Sequence, residues 1–230
     1  MNLYFLVEGS TTEKKVYPAW LAHLLPELQR VQSYDLVNEK NYYLISGEGY
    51  PSIYNFIGNS IEDINASGKY NYFVVCLDAE ENTVTELKTE IYDFLSTQQL
   101  ILNNTKFVLI IQNRCLETWL LGNRKIYSRQ PQSQPLLDYT KYYNVSANDP
   151  EMMGKYKDFN THAQFHESYL KALFEAKNEK KSYTKQRPGD VLKPFYLDQL
   201  VARIQQEPQH LTSFRYFIDF CNTIRSQLQN

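Results

Sequence analysis

The sequence predicts an α/β protein with a mostly parallel four-stranded sheet, helices on both faces of that sheet, and an α-helical C-terminal part. Four short apolar runs lead to this prediction, because each is followed by apolar residues at helical spacing or by a short helical segment. Beyond about residue 125 the chain becomes polar and proline-bearing, without a further convincing strand pattern. We therefore predict one domain over residues 1–125 and a helical region over residues 126–230.

The first two predicted strands each lead into a helix. Residues 3–7 are an apolar run that stops at Glu8, and residues 11–28 then carry apolar side chains at helical spacing. The stretch NYYLIS (41–46) is the second strand, and isoleucines at helical spacing follow the glycine-bearing turn after it. Two strand–helix units in succession favour a parallel sheet.

The third and fourth predicted strands complete this pattern. They are YNYFVVCLD (70–78) and TKFVLIIQN (105–113), whose apolar runs are typical of strands buried on both faces. The C-terminal part shows helical periodicity over roughly 160–177, 190–206 and 210–228. This order of elements predicts a sheet domain followed by helices.

The composition indicates an ordinary globular protein. The chain has 230 residues, a net charge of −2 and 43% hydrophobic residues. It contains no uninterrupted apolar stretch of the roughly eighteen residues that a membrane span needs, so we expect a cytoplasmic protein without a membrane partner. The three cysteines are far apart and two lie in apolar runs, which favours reduced, buried thiols.

Acidic residues follow the predicted strands. Glu8 ends the first strand, Asp78 ends the third with Glu80 and Glu81 close behind, and Glu117 follows the fourth. The carboxyl ends of parallel strands meet at one edge of a sheet, and clustered carboxylates select a hard divalent cation, Mg²⁺ or Mn²⁺. Each of these residues has a simpler interpretation as a solvated loop residue, and Asp78 also as a helix cap.

Three stretches carry a resemblance to a known family. LYFLVEGSTTEKKVY resembles the first motif of the TOPRIM domain, in which a strand ends in Glu-Gly, and FVVCLDAEEN resembles the second, in which a strand ends in Asp-x-Asp. QNRCLETWLLGN resembles the Asn-x-Cys-hydrophobic-Glu-x-Trp segment of stand-alone TOPRIM proteins in bacterial anti-phage systems, including nucleases of the overcoming-lysogenization-defect type. These motifs cover residues 3–121.

The resemblance implies metal-dependent phosphodiester chemistry and assigns roles to residues. It implies that Glu8 is a general acid/base or a metal ligand, that Asp78 and Glu80 hold Mg²⁺ or Mn²⁺, and that Lys185, beyond the sheet, stabilises the phosphate. It also makes Glu117 and Glu13 candidate metal ligands. TOPRIM topoisomerases and primases need further domains for which the remaining hundred or so residues have no room, so a nuclease is favoured.

The sequence departs from the family pattern at two positions. Glu80 stands where the second motif has its second Asp, which keeps the carboxylate and lengthens its reach. The second acid of the first motif usually lies four residues after the first, whereas here Thr12 holds that position and Glu13 lies one residue later. Both departures leave the geometry of the metal site open.

The expected partner is nucleic acid, either tRNA, another RNA or DNA, and the resemblance also suggests a partner ATPase that holds the nuclease inactive. A homodimer is left open. Two alternatives remain: an enzyme that transfers phosphoryl groups on a small molecule, and a non-catalytic binding module with the TOPRIM fold.

A basic loop, EKKSYTKQRPG, precedes the second of the C-terminal helices. Lys180 and Lys181 in this loop are candidate contacts to phosphates, and Tyr183 is a candidate for stacking on a base or for packing on Pro188. A plain solvated surface explains the charges of the loop equally well.

Overall fold

The predicted fold class is confirmed by the computed structural model, which describes residues 1–127, 134–177 and 182–229. The described residues form one five-stranded parallel sheet, in the order β2-β3-β1-β4-β5, flanked by helices. The strands are β1 (Asn2–Val7), β2 (Gln29–Val31), β3 (Asn41–Ser46), β4 (Tyr72–Asp78) and β5 (Lys106–Gln112). The helices are α1 (Glu13–Leu24), α2 (Ile53–Ser67), α3 (Val84–Thr97), α4 (Leu116–Leu120), α5 (Leu136–Tyr142), α6 (His162–Lys177), α7 (Pro194–Gln206) and α8 (Thr212–Gln229).

The centre of the sheet is buried on both faces. Every residue of β1 is buried, and β1 pairs in parallel with β3 on one side and with β4 on the other. Val7 lies opposite Ser46 of β3 and Cys76 of β4, so the three strands reach the same edge of the sheet in register. This explains why β1 and β4 are nearly continuous apolar runs in the sequence.

The fifth strand was not predicted. Strand β2 has three residues, Gln29, Arg30 and Val31, and pairs in parallel with β3 at the edge of the sheet. None of the three is buried, so they show neither an apolar run nor an alternating pattern. The sheet is therefore one strand wider than the four apolar runs predict.

The chain divides into two compact units. The first consists of Met1–Leu77, Val84–Ile111 and Asp219–Asn230, and the second of Asp78–Thr83 and Gln112–Ile218. The predicted division into residues 1–125 and 126–230 stays a prediction about domains.

The core of the first unit includes the C-terminal half of α8. Phe220 makes edge-to-face contacts with Phe5 of β1 and Tyr72 of β4, at centroid distances of 6.5 and 5.7 Å. The Arg225 guanidinium donates to the carbonyl oxygen of Leu24 at the end of α1. The last turns of the chain therefore cover part of the sheet.

The second unit is helical, as the pattern of the C-terminal part predicts. Beyond residue 112, the described residues contain helices and no strand. Phe165 of α6 is fully buried and contacts the rings of Tyr139, Tyr156, Phe159 and Tyr169 at centroid distances of 5.2–5.8 Å. This aromatic cluster fixes α5 and the segment around residue 156 against α6.

None of the helices that the structure describes is both long and apolar enough to cross a membrane.

Candidate active site

In the first unit, the backbone of Glu8 is held from both sides. Its N–H donates to the carbonyl oxygen of Cys76 in β4 over 3.0 Å. Its carbonyl oxygen accepts from the N–H of Gly49 at 3.0 Å and from the Ser46 hydroxyl at 3.3 Å, both from the end of β3 and its turn. Glu8 thus lies at the carboxyl edge of the sheet with a fixed backbone and a partly exposed side chain.

The carboxylate of Glu13 lies against Gly9, the residue after Glu8. Glu13 is the first residue of α1, and its carboxylate occupies the space that a β-carbon at Gly9 would need. Gly9 does not have a positive φ, so it is glycine for reasons of space rather than of backbone conformation. Helix α1 begins at Glu13, and the Glu13 side chain folds back over Gly9.

In the second unit, Asp78 and Glu80 lie in a loop whose shape is held by Arg114. The Glu80 N–H donates to the Arg114 carbonyl oxygen over 2.8 Å, and the Arg114 guanidinium donates to the carbonyl oxygens of Glu80 and Asn82 at 3.1 and 3.0 Å. Glu80 and Arg114 both have positive φ angles, 53° and 81°, which is unusual for residues with side chains. Reciprocal hydrogen bonds between Glu80 and Arg114 therefore stabilise an unusual backbone next to Asp78.

The alternative interpretation of Asp78 as a helix cap is wrong. Helix α3 begins only at Val84, so Asp78 does not cap it.

Glu81, beside Glu80, is engaged by α6 rather than available for a ligand. Its two carboxylate oxygens contact the backbone N–H and the Nδ1 atom of His162, at 2.8 and 2.9 Å, and Lys155 lies 3.7 Å away. Burial raises the pKa of Glu81, but the hydrogen bonds from His162 and the charges of His162 and Lys155 outweigh it, so the pKa is lowered. Glu80 is exposed and is the better candidate ligand of the two.

Glu117 is a buried carboxylate near the start of α4. It is 2% exposed, and its Oε1 atom accepts a hydrogen bond from the Tyr183 hydroxyl over 2.7 Å. Tyr183 is 1% exposed, and its ring stacks on Phe174 with an interplanar angle of 21°. Tyr183 therefore orients Glu117 from the interior, and its buried ring is not exposed for stacking on a base. Its packing on Pro188 stays a prediction.

Lys185 lies among carboxylates. Burial lowers its pKa, but the negative charges of Glu117, Glu167 and Asp78 raise it by more, so its pKa is higher than that of an ordinary lysine. The Nζ atom lies 3.6 Å from Glu167 Oε2. The side chain is 47% exposed, so its ammonium group is charged, held by acids and open to solvent on one side. Residues 78, 117 and 185, far apart in sequence, act on each other in this unit.

Other residues of the QNRCLETWLLGN stretch have structural roles. The Ser213 hydroxyl accepts from the Asn113 N–H at 3.0 Å and from Trp119 Nε1 at 2.7 Å, and it donates to Glu151 Oε1 at 2.6 Å. Cys115 is buried, and its burial and then the charges of Glu117 and Asp78 raise the pKa of its thiol. Asn113 and Trp119 therefore fix the start of α8 to the end of β5, and the Cys115 thiol stays protonated.

The candidate ligands fit an open metal site better than a closed one. Within the described residues, no three His, Cys, Asp or Glu side chains form a group that could hold a metal ion. Mg²⁺ usually keeps several waters and takes one or two carboxylates together with substrate phosphates. Asp78 is partly exposed and Glu80 is exposed, two residues apart in one held loop, so these are the two residues that could hold such an ion.

Some residues of this site were not predicted. Arg114 and Glu167 contact the candidate residues through backbone carbonyls and an ion pair. Arg114 holds only the variable position of the Asn-x-Cys segment, and Glu167 stands in none of the three motifs. The sequence does not predict the hydrogen bond from Tyr183 to Glu117 either. Lys180 and Lys181 lie outside the part of the chain that the structure describes.

No protein-family model, no curated protein and no solved structure matches the chain. The likeness to TOPRIM proteins accordingly consists of the three motifs in the sequence.

Proposed function

We propose that the chain is a Mg²⁺-dependent nuclease of the TOPRIM type, which cleaves phosphodiester bonds in RNA or DNA and acts in bacterial anti-phage defence. A partner ATPase restrains it until infection. The observation that carries the proposal is the position of Lys185, a half-exposed ammonium group 3.6 Å from Glu167 that also lies in the field of Glu117 and Asp78. A fixed cation beside a loop with two accessible acidic groups suits the recognition of a phosphate in the presence of a metal.

The proposal gives each residue one task. Asp78 and Glu80 bind Mg²⁺, which neutralises charge on the transferring phosphoryl group and lowers the pKa of a bound water. Lys185 neutralises a phosphate oxygen as negative charge develops on it. Glu117 is too buried to reach substrate and positions Lys185. Glu8, by the resemblance, accepts or donates the proton, with Glu13 beside it.

The decisive experiment is a cleavage assay on purified protein. The protein is incubated with Mg²⁺ or Mn²⁺ and with tRNA, plasmid and single-stranded DNA, alone and with any partner encoded beside it. We expect Glu8→Gln and Asp78→Asn to abolish cleavage and Lys185→Ala to reduce it by less, with circular dichroism unchanged. The matched controls are exposed residues of the same types, Glu39→Gln, Asp158→Asn and Lys141→Ala, which should cleave like wild type.

Two results would overturn the nuclease proposal. One is a wild-type protein that is inert on every substrate with either metal and with its partner activated. The other is a Glu8→Gln or Asp78→Asn variant that cleaves as fast as wild type. The non-catalytic binding module is then the better description, and the lack of a group of three metal-binding side chains among the described residues favours it as the second candidate.

A further inference from the structure

Two neighbouring cavities lie along helix α7 in the second unit. The first, of about 290 Å³, is lined by Arg124, Lys125 and Arg203, with the amides of Gln199 and Gln206. The second, of about 250 Å³, is lined by Lys125 as well, by Lys177 and Asp190, and by the aromatic side chains Phe174, Phe195 and Tyr196. We call the two together the α7 groove. It is cationic at one end and aromatic at the other, and Lys125 lies at their junction.

The cationic cavity contains a buried guanidinium whose hydrogen bonds, within the described residues, go to carbonyl oxygens and to the ring of His210 rather than to a carboxylate. Arg203 is 2% exposed and donates to the carbonyl oxygens of Gly122, Val145 and Asn148 at 3.1, 2.8 and 2.6 Å. Its Nε atom is buried without a hydrogen-bond partner among the described residues. Carbonyl dipoles orient a guanidinium but leave its net charge in place, so this cavity favours an anion.

The guanidinium of Arg124 adds to the positive charge of Arg203. Burial, followed by the like charge of Arg124, lowers the pKa of Arg203 to about 10, and Asp149 and Glu207 act in the opposite direction. Arg124 binds the Ser146 carbonyl oxygen at 2.8 Å and reaches Glu207 only at 3.4 Å. Two guanidinium groups that disfavour each other are stabilised by an anion that binds both, and a phosphate has the geometry to do so.

The aromatic cavity has the features of a base-binding surface. Phe174 and Tyr196 stack with an interplanar angle of 9° and form its wall, whereas Phe195 is 51% exposed although it is a large apolar side chain. The ammonium of Lys193 lies 5.9 Å from the Phe195 ring centroid. Lys193 also pairs with Asp190 at 2.6 Å, so the exposed Phe195 ring is the feature of this cavity that suits an unpaired base.

From these features we infer that the α7 groove binds single-stranded nucleic acid, with a backbone phosphate at Arg124, Lys125 and Arg203 and an adjacent base on Phe195. Residues 195 and 206 are about 16 Å apart along the helix axis, which accommodates more than one nucleotide. The aromatic cavity of about 250 Å³ has room for one base, and a base can stack on the exposed Phe195 ring only when it is unpaired. A strand therefore fits the groove better than a duplex.

The inference names the substrate class of the proposed nuclease and rests on that function for its biological meaning. Its test does not rest on it, because binding is measured in EDTA, where no metal-dependent cleavage occurs. A labelled single-stranded oligonucleotide of mixed sequence, as RNA and as DNA, is titrated with the full chain and followed by fluorescence anisotropy. A matched duplex and a mononucleotide serve as competitors.

The variants separate the two ends of the groove. Phe195→Ala should weaken binding roughly 5-fold to 150-fold, the range for loss of one stacked base. Lys125→Ala should weaken it and reduce the salt slope by about 1, as expected for one phosphate contact. Tyr216→Ala is the matched aromatic control, since Tyr216 is 53% exposed, and Lys141→Ala is the matched lysine control. Both controls should bind like wild type.

Four outcomes would overturn the inference. The wild type binds no single strand, the variants and controls lose affinity equally, or neither variant loses affinity. The fourth is that the duplex or the mononucleotide competes as strongly as the single strand. If the groove variants bind single strands like wild type while Asp78→Asn still abolishes cleavage, the nuclease proposal stands and only the proposed substrate site is wrong. If the groove binds strands and the wild type never cleaves them, the failure lies with the nuclease proposal.

Discussion

The Tyr183 hydroxyl donates to Glu117 Oε1 over 2.7 Å, although 66 residues separate the two in sequence. Both side chains are almost completely buried. Since Tyr183 lies two residues before Lys185, this bond fixes the loop that carries the lysine to the helix that carries the acid. The charge environment of Lys185 depends on a tyrosine that contacts no solvent.

Tyr183→Phe should therefore lower the stability of the protein. The substitution removes the hydroxyl and leaves a buried carboxylate oxygen without this donor, which costs about 1–3 kcal/mol. Urea denaturation followed by circular dichroism measures the difference. The exposed Tyr216→Phe is the control and should change stability by less than about 0.5 kcal/mol. Equal midpoints for Tyr183→Phe and wild type would show that the bond contributes nothing.

The parts of the fold that could be predicted are those that periodicity determines. Strands β1 and β4 are buried on both faces, so they are continuous apolar runs and are recognisable without knowledge of their neighbours. Strand β2 has three unburied residues, and only pairing with β3 makes it a strand. No local pattern could reveal it.

The candidate site divides in the same way. The position of Asp78 at the end of a strand could be predicted, because it directly follows an apolar run. The partnership of Glu117 with Tyr183 could not, because Tyr183 stands in a polar loop whose sequence is typical of an exposed surface. The motif distinguishes Glu80 from Glu81, but the contact of Glu81 with His162 could not be predicted, because His162 lies 81 residues away in the sequence.

The space above Gly9 provides a test of Glu13. In Gly9→Ala the new methyl group would displace the Glu13 carboxylate, whereas the backbone would tolerate alanine because φ is not positive. We expect unfolding midpoints close to wild type and cleavage reduced to the level of Glu13→Gln. Gly58→Ala is the control, since the nearest side-chain atom there is 4.0 Å away and α2 gains a better helix former. Wild-type cleavage by Gly9→Ala beside an impaired Glu13→Gln would contradict the displacement.

The contact between Glu81 and His162 should make stability depend on acid pH. The pKa of Glu81 is lowered in the folded protein from an ordinary value of 4.5. The contribution is therefore complete above about pH 4.5 and is lost as pH falls through the lower folded value. Because the Glu81 side chain is 43% exposed, we expect this contact to contribute only about 0.5 kcal/mol to the free energy of unfolding.

The measurement compares wild type with Glu81→Gln in urea. Glu81→Gln should be less stable at pH 7 and as stable as wild type at pH 3. The exposed Glu175→Gln should match wild type at both pH values. A difference between Glu81→Gln and wild type that grows as the solution is acidified would have the wrong sign and would exclude this explanation.

His166 should make a larger contribution to acid sensitivity. Its ring is fully buried, and its Nδ1 atom lies 2.7 Å from the Thr118 hydroxyl. Burial, and then the charge of the neighbouring His162, lowers the pKa of His166 from 6.5 to about 3. Between these two values the unfolded chain binds a proton that the folded protein does not. Stability should consequently fall as pH decreases from 6.5, by up to about 1.4 kcal/mol for each pH unit from this residue.

His166→Gln separates this effect from general acid denaturation. The glutamine amide can still bond to the Thr118 hydroxyl but does not titrate, so the variant should be less stable than wild type at pH 7, with a difference that shrinks at pH 6, 5 and 4. Urea midpoints at these four pH values measure it. Should His166→Gln lose stability with acid as steeply as wild type, the proton would not be taken up at His166, and another buried group would have to account for the acid sensitivity.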